Sequence, residues 1–229
     1  SDPLVPLLST LEAVDRVVGV SAVGDDPWHD FWTLPLSIPW RVATTLDTIP
    51  AALPYLTPLP ERLSEWEGRL SCLPGVRVGL VWKGNPGFIH DATRSLPGLE
   101  LLASWWSLPG ISFVSLQKGA GEEEADPPPA GQPLLHLGGG LRDFADTAAI
   151  VRHLDLVICV DSAIAHLAGA LGKACWVLLP WHEDWRWLRE RGDSPWYPGV
   201  MRLFRQPEPD AWPEVVRQVG AALARFTPS

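Results

Sequence analysis

From residue 77 onward the apolar residues fall into short, nearly unbroken runs at 77–82, 111–116, 156–160 and 174–179. A strand wetted on one face alternates apolar with polar residues, so runs of this kind predict strands covered on both faces. Between them, residues 96–107, 143–154 and 163–171 space their apolar positions at helical intervals. A closing stripe of Trp212, Val215, Val216, Val219, Ala222 and Leu223 predicts an amphipathic helix over 210–226. Strands alternating with helices imply βαβ units, hence an α/β domain with a parallel sheet wound right-handedly and helices on both faces.

The first 70 residues follow another pattern, broken repeatedly by proline, which removes a backbone donor and shortens regular elements. Residues 14–20 read as a short strand and 28–40 as an aromatic loop interrupted by Pro35 and Pro39. Leu63, Trp66 and Leu70 predict a connecting helix over 60–70. The change of pattern places a domain boundary at 71–75, with a partial, smaller α/β unit over 1–71 and the larger sheet domain over 72–229. Residues 119–131, with glutamates at 122–124 and prolines at 127–129, read as a mobile surface loop.

At 229 residues the chain can bury a substantial core, and its 46% hydrophobic and 20% charged content fits a globular protein. The net charge of -9 argues against a nucleic-acid partner, which needs clustered Lys and Arg. No apolar run reaches the ~20 residues of a membrane span and no secretory signal opens the chain, so a cytoplasmic location is expected. Cys72, Cys159 and Cys175 make no CxxC pair, and the latter two sit in apolar runs as small hydrophobes. The one methionine is not at position 1, which suggests a chain cut from something longer.

In such a sheet, ligands bind beyond the carboxyl ends of the strands, which directs attention to the loops after Trp82, Leu116, Val160 and Leu179. The sharpest signal is the run from Leu156 through Asp161, Ser162 and His166 to Gly172. There Ser162 is placed to cap a helix whose free amides and partial positive charge suit a diphosphate, with His166 one turn further on. A capped helix with a satisfied histidine is the plainer reading of the same residues. After the first strand, Lys83, Gly84, Asn85, Pro86 and Gly87 form a glycine-bearing turn, and Lys83 or Arg94 could meet a leaving diphosphate. The spacing fits neither a Walker loop nor GxGxxG, and the triple glycine at 138–140 is a weak signal. Residues 180–187 bring Trp181, His182, Glu183, Asp184, Trp185 and Arg186 to the same rim, and His182, Glu183 and Asp184 are too close together for a typical zinc site. Asp25, Asp26, His29 and Asp30 cluster in the first unit, most simply as a solvated turn.

These segments in this order resemble the glycosyltransferase domain of bacterial tetratricopeptide-repeat proteins, akin to the heptosyltransferase and O-GlcNAc transferase-like groups. The resemblance is carried by VGLVWKGNP at 78–86, TRSLPG at 93–98, FVSLQKG at 113–119, residues 143–188, SPWYPGVMRLFRQ at 194–206 and TTLDTIPAALPYL at 44–56. It implies the GT-B architecture of Rossmann-like domains, a nucleotide-diphosphate sugar as substrate, no cofactor and no metal. It further implies that Gln117 and Lys118 lie beside the nucleotide, that Asp146 and Thr147 border its pocket, and that Asp161, Ser162 and His166 meet the diphosphate sugar. Gly87, Phe88, Ile89 and His90 stand where the group usually has basic and polar residues, leaving Arg94 as the matching cation. The group's opening strand and glycine-rich loop are not found, so the acceptor half is expected to be incomplete.

The expected activity is metal-independent transfer of a hexosyl or heptosyl group to a protein or glycan acceptor, with tetratricopeptide repeats as a further partner. Two alternatives stand beside it: a nucleotide-sugar or glycan-binding module without turnover, and a structural partner that uses a Trp-rich surface.

Overall fold

The structure is a computed structural model that describes residues 2–25, 30–126 and 133–228. Six parallel strands form one sheet: β1 (Val76–Val81), β2 (Ile111–Ser115), β3 (Leu134–His136), β4 (Leu156–Val160), β5 (Cys175–Leu179) and β6 (Met201–Arg205), in the order β3-β2-β1-β4-β5-β6. The described helices are α1 (Val5–Leu8), α2 (Ile38–Arg41), α3 (Pro60–Leu70), α4 (Asp91–Arg94), α5 (Phe144–His153), α6 (Ala163–Ala170) and α7 (Trp212–Leu223).

All residues of β4 and β5 are buried, as their unbroken apolar runs predict, because both sheet faces are covered. Leu156, Ile158 and Val160 point into one layer with Leu99, Leu102, Trp105 and the apolar stripe of α7. Val157 and Cys159 point into the other, with α5, α6, Trp66 and Leu70 of α3, and Leu7 of α1. A fully buried Val or Leu contributes about 1.5–3 kcal/mol, so these two layers dominate the favourable side of folding. Cys159 and Cys175 face each other there as free thiols, Sγ to Sγ 3.8 Å, which bears out their reading as small core residues.

Several expectations are corrected. Residues 14–20 form no strand and join no ladder; a 3-10 turn follows at Val20–Asp25. Residues 96–107 carry a 3-10 helix, Leu99–Trp105, whose buried Leu99, Leu102 and Trp105 recur every third residue, the period of that helix. Strands β3 and β6 were not expected: one is three residues long, and the other carries exposed Arg202 within its apolar run. The segment expected to be a mobile loop is pinned at Glu124, which accepts from Trp82 Nε1 at 3.2 Å and pairs with Lys83 Nζ at 2.8 Å. Its residues 127–132 lie outside the described residues.

Candidate functional site

The chain leaves the sheet centre in opposite directions from β1 and β4, and the crevice of such a sheet opens beyond the carboxyl ends of these strands. A cleft of about 1230 Å³ lies there, walled by the loops after β1, β2, β4 and β5 and by the start of α5. Lys83, Asn85, Arg94, Gln117, Lys118, Thr147, Asp161, Ser162 and His166 all line it. Of the expected site residues, Asp146 does not.

The floor is the turn from β4 into α6. Ser162 is extended at the position before the helix (φ -151°, ψ 172°), but its hydroxyl does not cap the helix as expected. Instead Oγ is buried without a well-formed hydrogen bond, its polar neighbour being the Cys159 thiol, a weak partner, and it lies beside a helix start whose first amides, at Ala163 and Ile164, have no carbonyl one turn back to bind. A buried hydroxyl without a good partner is costly unless something else meets it. One turn on, His166 Nδ1 lies 3.0 Å from the Tyr197 hydroxyl, and its ring stacks on Trp187 at 5.3 Å and 12°. Burial pushes the His166 pKa down, opposed by nearby Asp161. Burial pushes the Asp161 carboxyl up, opposed by the neighbouring Trp187 indole and by His166 and Arg94.

The β1 side is more fully engaged. Lys83 is held by Glu124 and by the Pro97 carbonyl at 3.1 Å. Arg94 pairs with Asp91 at 3.2 Å and lies over the Phe88 ring at 4.4 Å. Asn85 accepts from the Gly87 amide at 2.9 Å, closing the glycine-bearing turn. Gln117 is a staple: its Oε1 accepts from the Trp82 and Lys83 amides, both at 3.0 Å, and its Nε2 donates to the Lys83 and Ala120 carbonyls. Its amide therefore shapes the loop and is not free for a ligand. Lys118 is exposed, with Nζ 3.4 Å from the Gly138 carbonyl.

Thr147 faces the cleft and donates to the Asp143 carbonyl at 3.4 Å. Asp146, one residue earlier, is fully buried behind it, joined to Arg142, to Arg62 at 3.1 Å and to Trp66 Nε1 at 3.1 Å. Arg142 is four positions away, but Arg62 and Trp66 come from α3, 80 or more residues away, which spacing alone does not reveal. Arg142, Phe144 and Thr93 also line the cleft and were not anticipated; the rim residues His182, Glu183, Asp184 and Arg186 were. Arg186 is tied to Asp184 at 2.7 Å and lies over exposed Trp185 at 4.8 Å. Of the expected acidic cluster near residue 30, Asp26 and His29 lie outside the described residues. Among the described residues no group of three His, Cys, Asp or Glu is arranged to hold a metal, and no helix is long and apolar enough to cross a membrane.

Residues 111–176, from β2 into β5, match the family model described as glycosyltransferase family 9 (heptosyltransferase). The chain is 31% identical over 206 residues to Protein FlbA of Caulobacter vibrioides, a match covering 87% of this chain and 34% of that protein. In structure it is similar to E. coli ADP-heptose LPS heptosyltransferase II, with a TM-score of 0.52 at 17% identity over 80% of this chain and 57% of that one. E. coli heptosyltransferase WaaC with ADP-2-deoxy-2-fluoro heptose aligns with a TM-score of 0.52 at 14% identity, over 71% of this chain and 47% of that one. The chain thus spans about a third of its curated relative and about half of each of these structures. At these identities the structural likeness establishes the fold, the α/β sheet architecture of GT-B heptosyltransferases.

Proposed function

We propose that this chain supplies the donor-binding part of a glycosyltransferase that takes its sugar from a nucleotide diphosphate and needs no metal. One observation carries the reading: the floor of the cleft is a helix start with free amides and a buried hydroxyl without a well-formed hydrogen bond, Ser162 Oγ, set where the sheet's crevice opens. Lys83, Arg94, Lys118, Arg142 and Arg186 line the same cleft together with Asp143, Asp161, Glu183 and Asp184; four of the five cations are already held by carboxylates, which leaves Lys118, in no ion pair among the described residues, as the cation free to turn to a diphosphate. In the transfer, the bond from the anomeric carbon to the diphosphate oxygen breaks, an acceptor hydroxyl of a protein or glycan attacks that carbon, and the hydroxyl's proton passes to the departing diphosphate or to solvent. The departing diphosphate's charge is met by amides, Ser162 and cations, the kind of preorganised stabilisation that contributes most to such steps. An ADP-sugar is the first donor to test, because the two structures of similar fold are of an ADP-heptose heptosyltransferase and of one with ADP-2-deoxy-2-fluoro heptose. We assign donor binding to residues 72–229 and the acceptor side to residues 1–71.

The test is calorimetric titration of the chain with ADP-, UDP- and GDP-sugars, before and after chelation, followed by transfer and hydrolysis assays. We expect binding that chelator leaves unchanged. His166→Ala should weaken it about tenfold or more, the worth of a hydrogen bond to a charged group, while loss of the contacts with Trp187 and Tyr197 lowers Tm by roughly 2–6 °C and leaves the protein folded at 25 °C. Binding without turnover would favour a non-catalytic nucleotide-sugar module, and no binding of any nucleotide diphosphate would overturn the reading.

A further inference from the structure

The cleft holds His166 in a setting built from a part of the chain that the β4–α6 turn does not foreshadow. Its ring is fixed on three sides. Trp187 stacks on one face at 5.3 Å, Tyr197 tilts against it at 5.9 Å and 50°, and the Tyr197 hydroxyl lies 3.0 Å from Nδ1. Nε2 has no partner among the described residues, and His166 lines the cleft.

Gly169, one turn beyond His166, makes the arrangement possible. A Cβ at that position would overlap the Tyr197 ring, so only glycine lets the phenol lie against α6 beside the histidine. The close approach is thus built into the same helix that carries the histidine.

We infer that Tyr197 is a positioning residue that sets the tautomer of His166: its hydroxyl donates to Nδ1, leaving the ring proton on Nε2 for the ligand in the cleft. The chemistry runs this way because an unprotonated imidazole nitrogen is a much better acceptor than a phenol oxygen, and phenol O–H is the more acidic donor. A histidine's free nitrogen takes its role from the bond its other nitrogen makes. Burial, with the Tyr55 phenol beside it, pushes the Tyr197 phenol above its ordinary value, so it keeps its proton, and burial pushes His166 down, so the ring is neutral near pH 7.5; with the Tyr55 hydroxyl donating to the Tyr197 oxygen, the Tyr197 proton is left for Nδ1. The charges that act on the ring are Asp161 and Asp184, which favour protonation, and Arg186, which opposes it. A neutral ring with its proton on Nε2 is a donor to phosphate or sugar oxygen; the opposite tautomer would present a lone pair to an anion and repel it. The ligand consequence rests on the proposed function, whereas the tautomer itself does not.

The experiment is long-range proton–nitrogen NMR on the ligand-free protein at pH 7.5, with the His166 signals assigned by their loss in His166→Gln. We expect an unprotonated shift at Nδ1 and a protonated one at Nε2. Tyr197→Phe, and independently Gly169→Ala, should move both nitrogens toward averaged values. In the same variants ADP affinity should fall about threefold to tenfold, the range for one hydrogen bond in a charged site. A structural role for Tyr197 would lower Tm without moving the nitrogen shifts. A protonated Nδ1 in the unaltered protein, or a His166 spectrum unchanged by Tyr197→Phe, would overturn the inference. If the unaltered protein fails to bind ADP while the tautomer is as stated, the donor reading falls and the positioning role stands.

Discussion

Two aspartates of the same sheet end are treated in opposite ways. Asp146, in the first turn of α5, is fully buried and receives bonds from Arg142 at 2.7 and 2.8 Å, from Arg62 and from the Trp66 indole. Burial alone would raise its pKa, yet the hydrogen bonds from Arg142, the backbone and Trp66 together hold it down to about 2. Asp161, at the end of β4, is half-buried, has no ion-pair partner within reach among the described residues, and burial pushes its carboxyl up. Beside it stands Ser162, whose hydroxyl has no well-formed hydrogen bond either. A polar group whose every bond is met by the protein fastens elements together, whereas polar groups held partly desolvated and unmet mark a place where something else binds. Asp146 clasps α3 to α5; Asp161, Ser162 and His166 line the cleft.

The largest effect that could break this contrast is on stability. Asp146→Ala leaves two guanidinium groups and the buried Trp66 indole without their shared acceptor, and should cost about 3 kcal/mol in urea unfolding. Nucleotide affinity in the folded fraction should change little. A variant of normal stability that lost its nucleotide would place Asp146 at the ligand and dissolve the comparison.

A smaller effect follows with pH. A carboxyl with its pKa lowered in the folded state stabilises the fold above its ordinary value of 3.8, and that contribution fades as pH falls toward the folded value of about 2. The stability gap between the unaltered protein and Asp146→Ala should therefore be full above about pH 5 and narrow steadily below 4. Half-exposed Glu214, also held to about 2 by Arg217, is present in both proteins and drops out of the difference. A gap that did not change between pH 5 and 2 would show that packing, and not charge, sets the value of Asp146.

The contrast also shows what could be read from the chain alone. Helix α5, β4 and α6 were legible because their apolar periods are uninterrupted and their partners are close in sequence. Ser162 and His166 were legible as residues of the cleft because a strand running into Ser and then a helix describes its own geometry. The roles of Gln117 and Asp146 were not, since Gln117 meets Trp82 and Lys83 across 34 or 35 positions and Asp146 meets Trp66 across 80. Tyr197 gave no local signal: only the folded chain brings it to His166, 31 positions away, and only the bare Gly169 hints at the ring it makes room for. Strand β6 was hidden by Arg202, which stays in water while stacking over Trp176 and Phe204, so its run does not read as apolar.

The smallest expected effect is the most discriminating. Asp161 has a raised pKa, so the folded state holds its proton more tightly than the unfolded chain, and its contribution to stability declines as pH rises above the ordinary value of 3.8. At neutral pH its ionised form is a cost that the fold bears, reduced by solvent in the open cleft. Asp161→Asn keeps the shape and removes the charge, so stability should stay level or rise by less than ~1 kcal/mol, opposite in sign to the change at Asp146. Binding separates further. If the carboxylate meets the sugar and not the phosphates, Asp161→Asn should leave ADP affinity level or slightly tighter, because a negative charge has left the anion's surroundings, while the preference for ADP-sugar over ADP shrinks. Paired unfolding curves and titrations with ADP and ADP-heptose decide it. A loss of stability comparable to that of Asp146→Ala would mean that Asp161 is held by the protein after all, and that the two aspartates are of one kind.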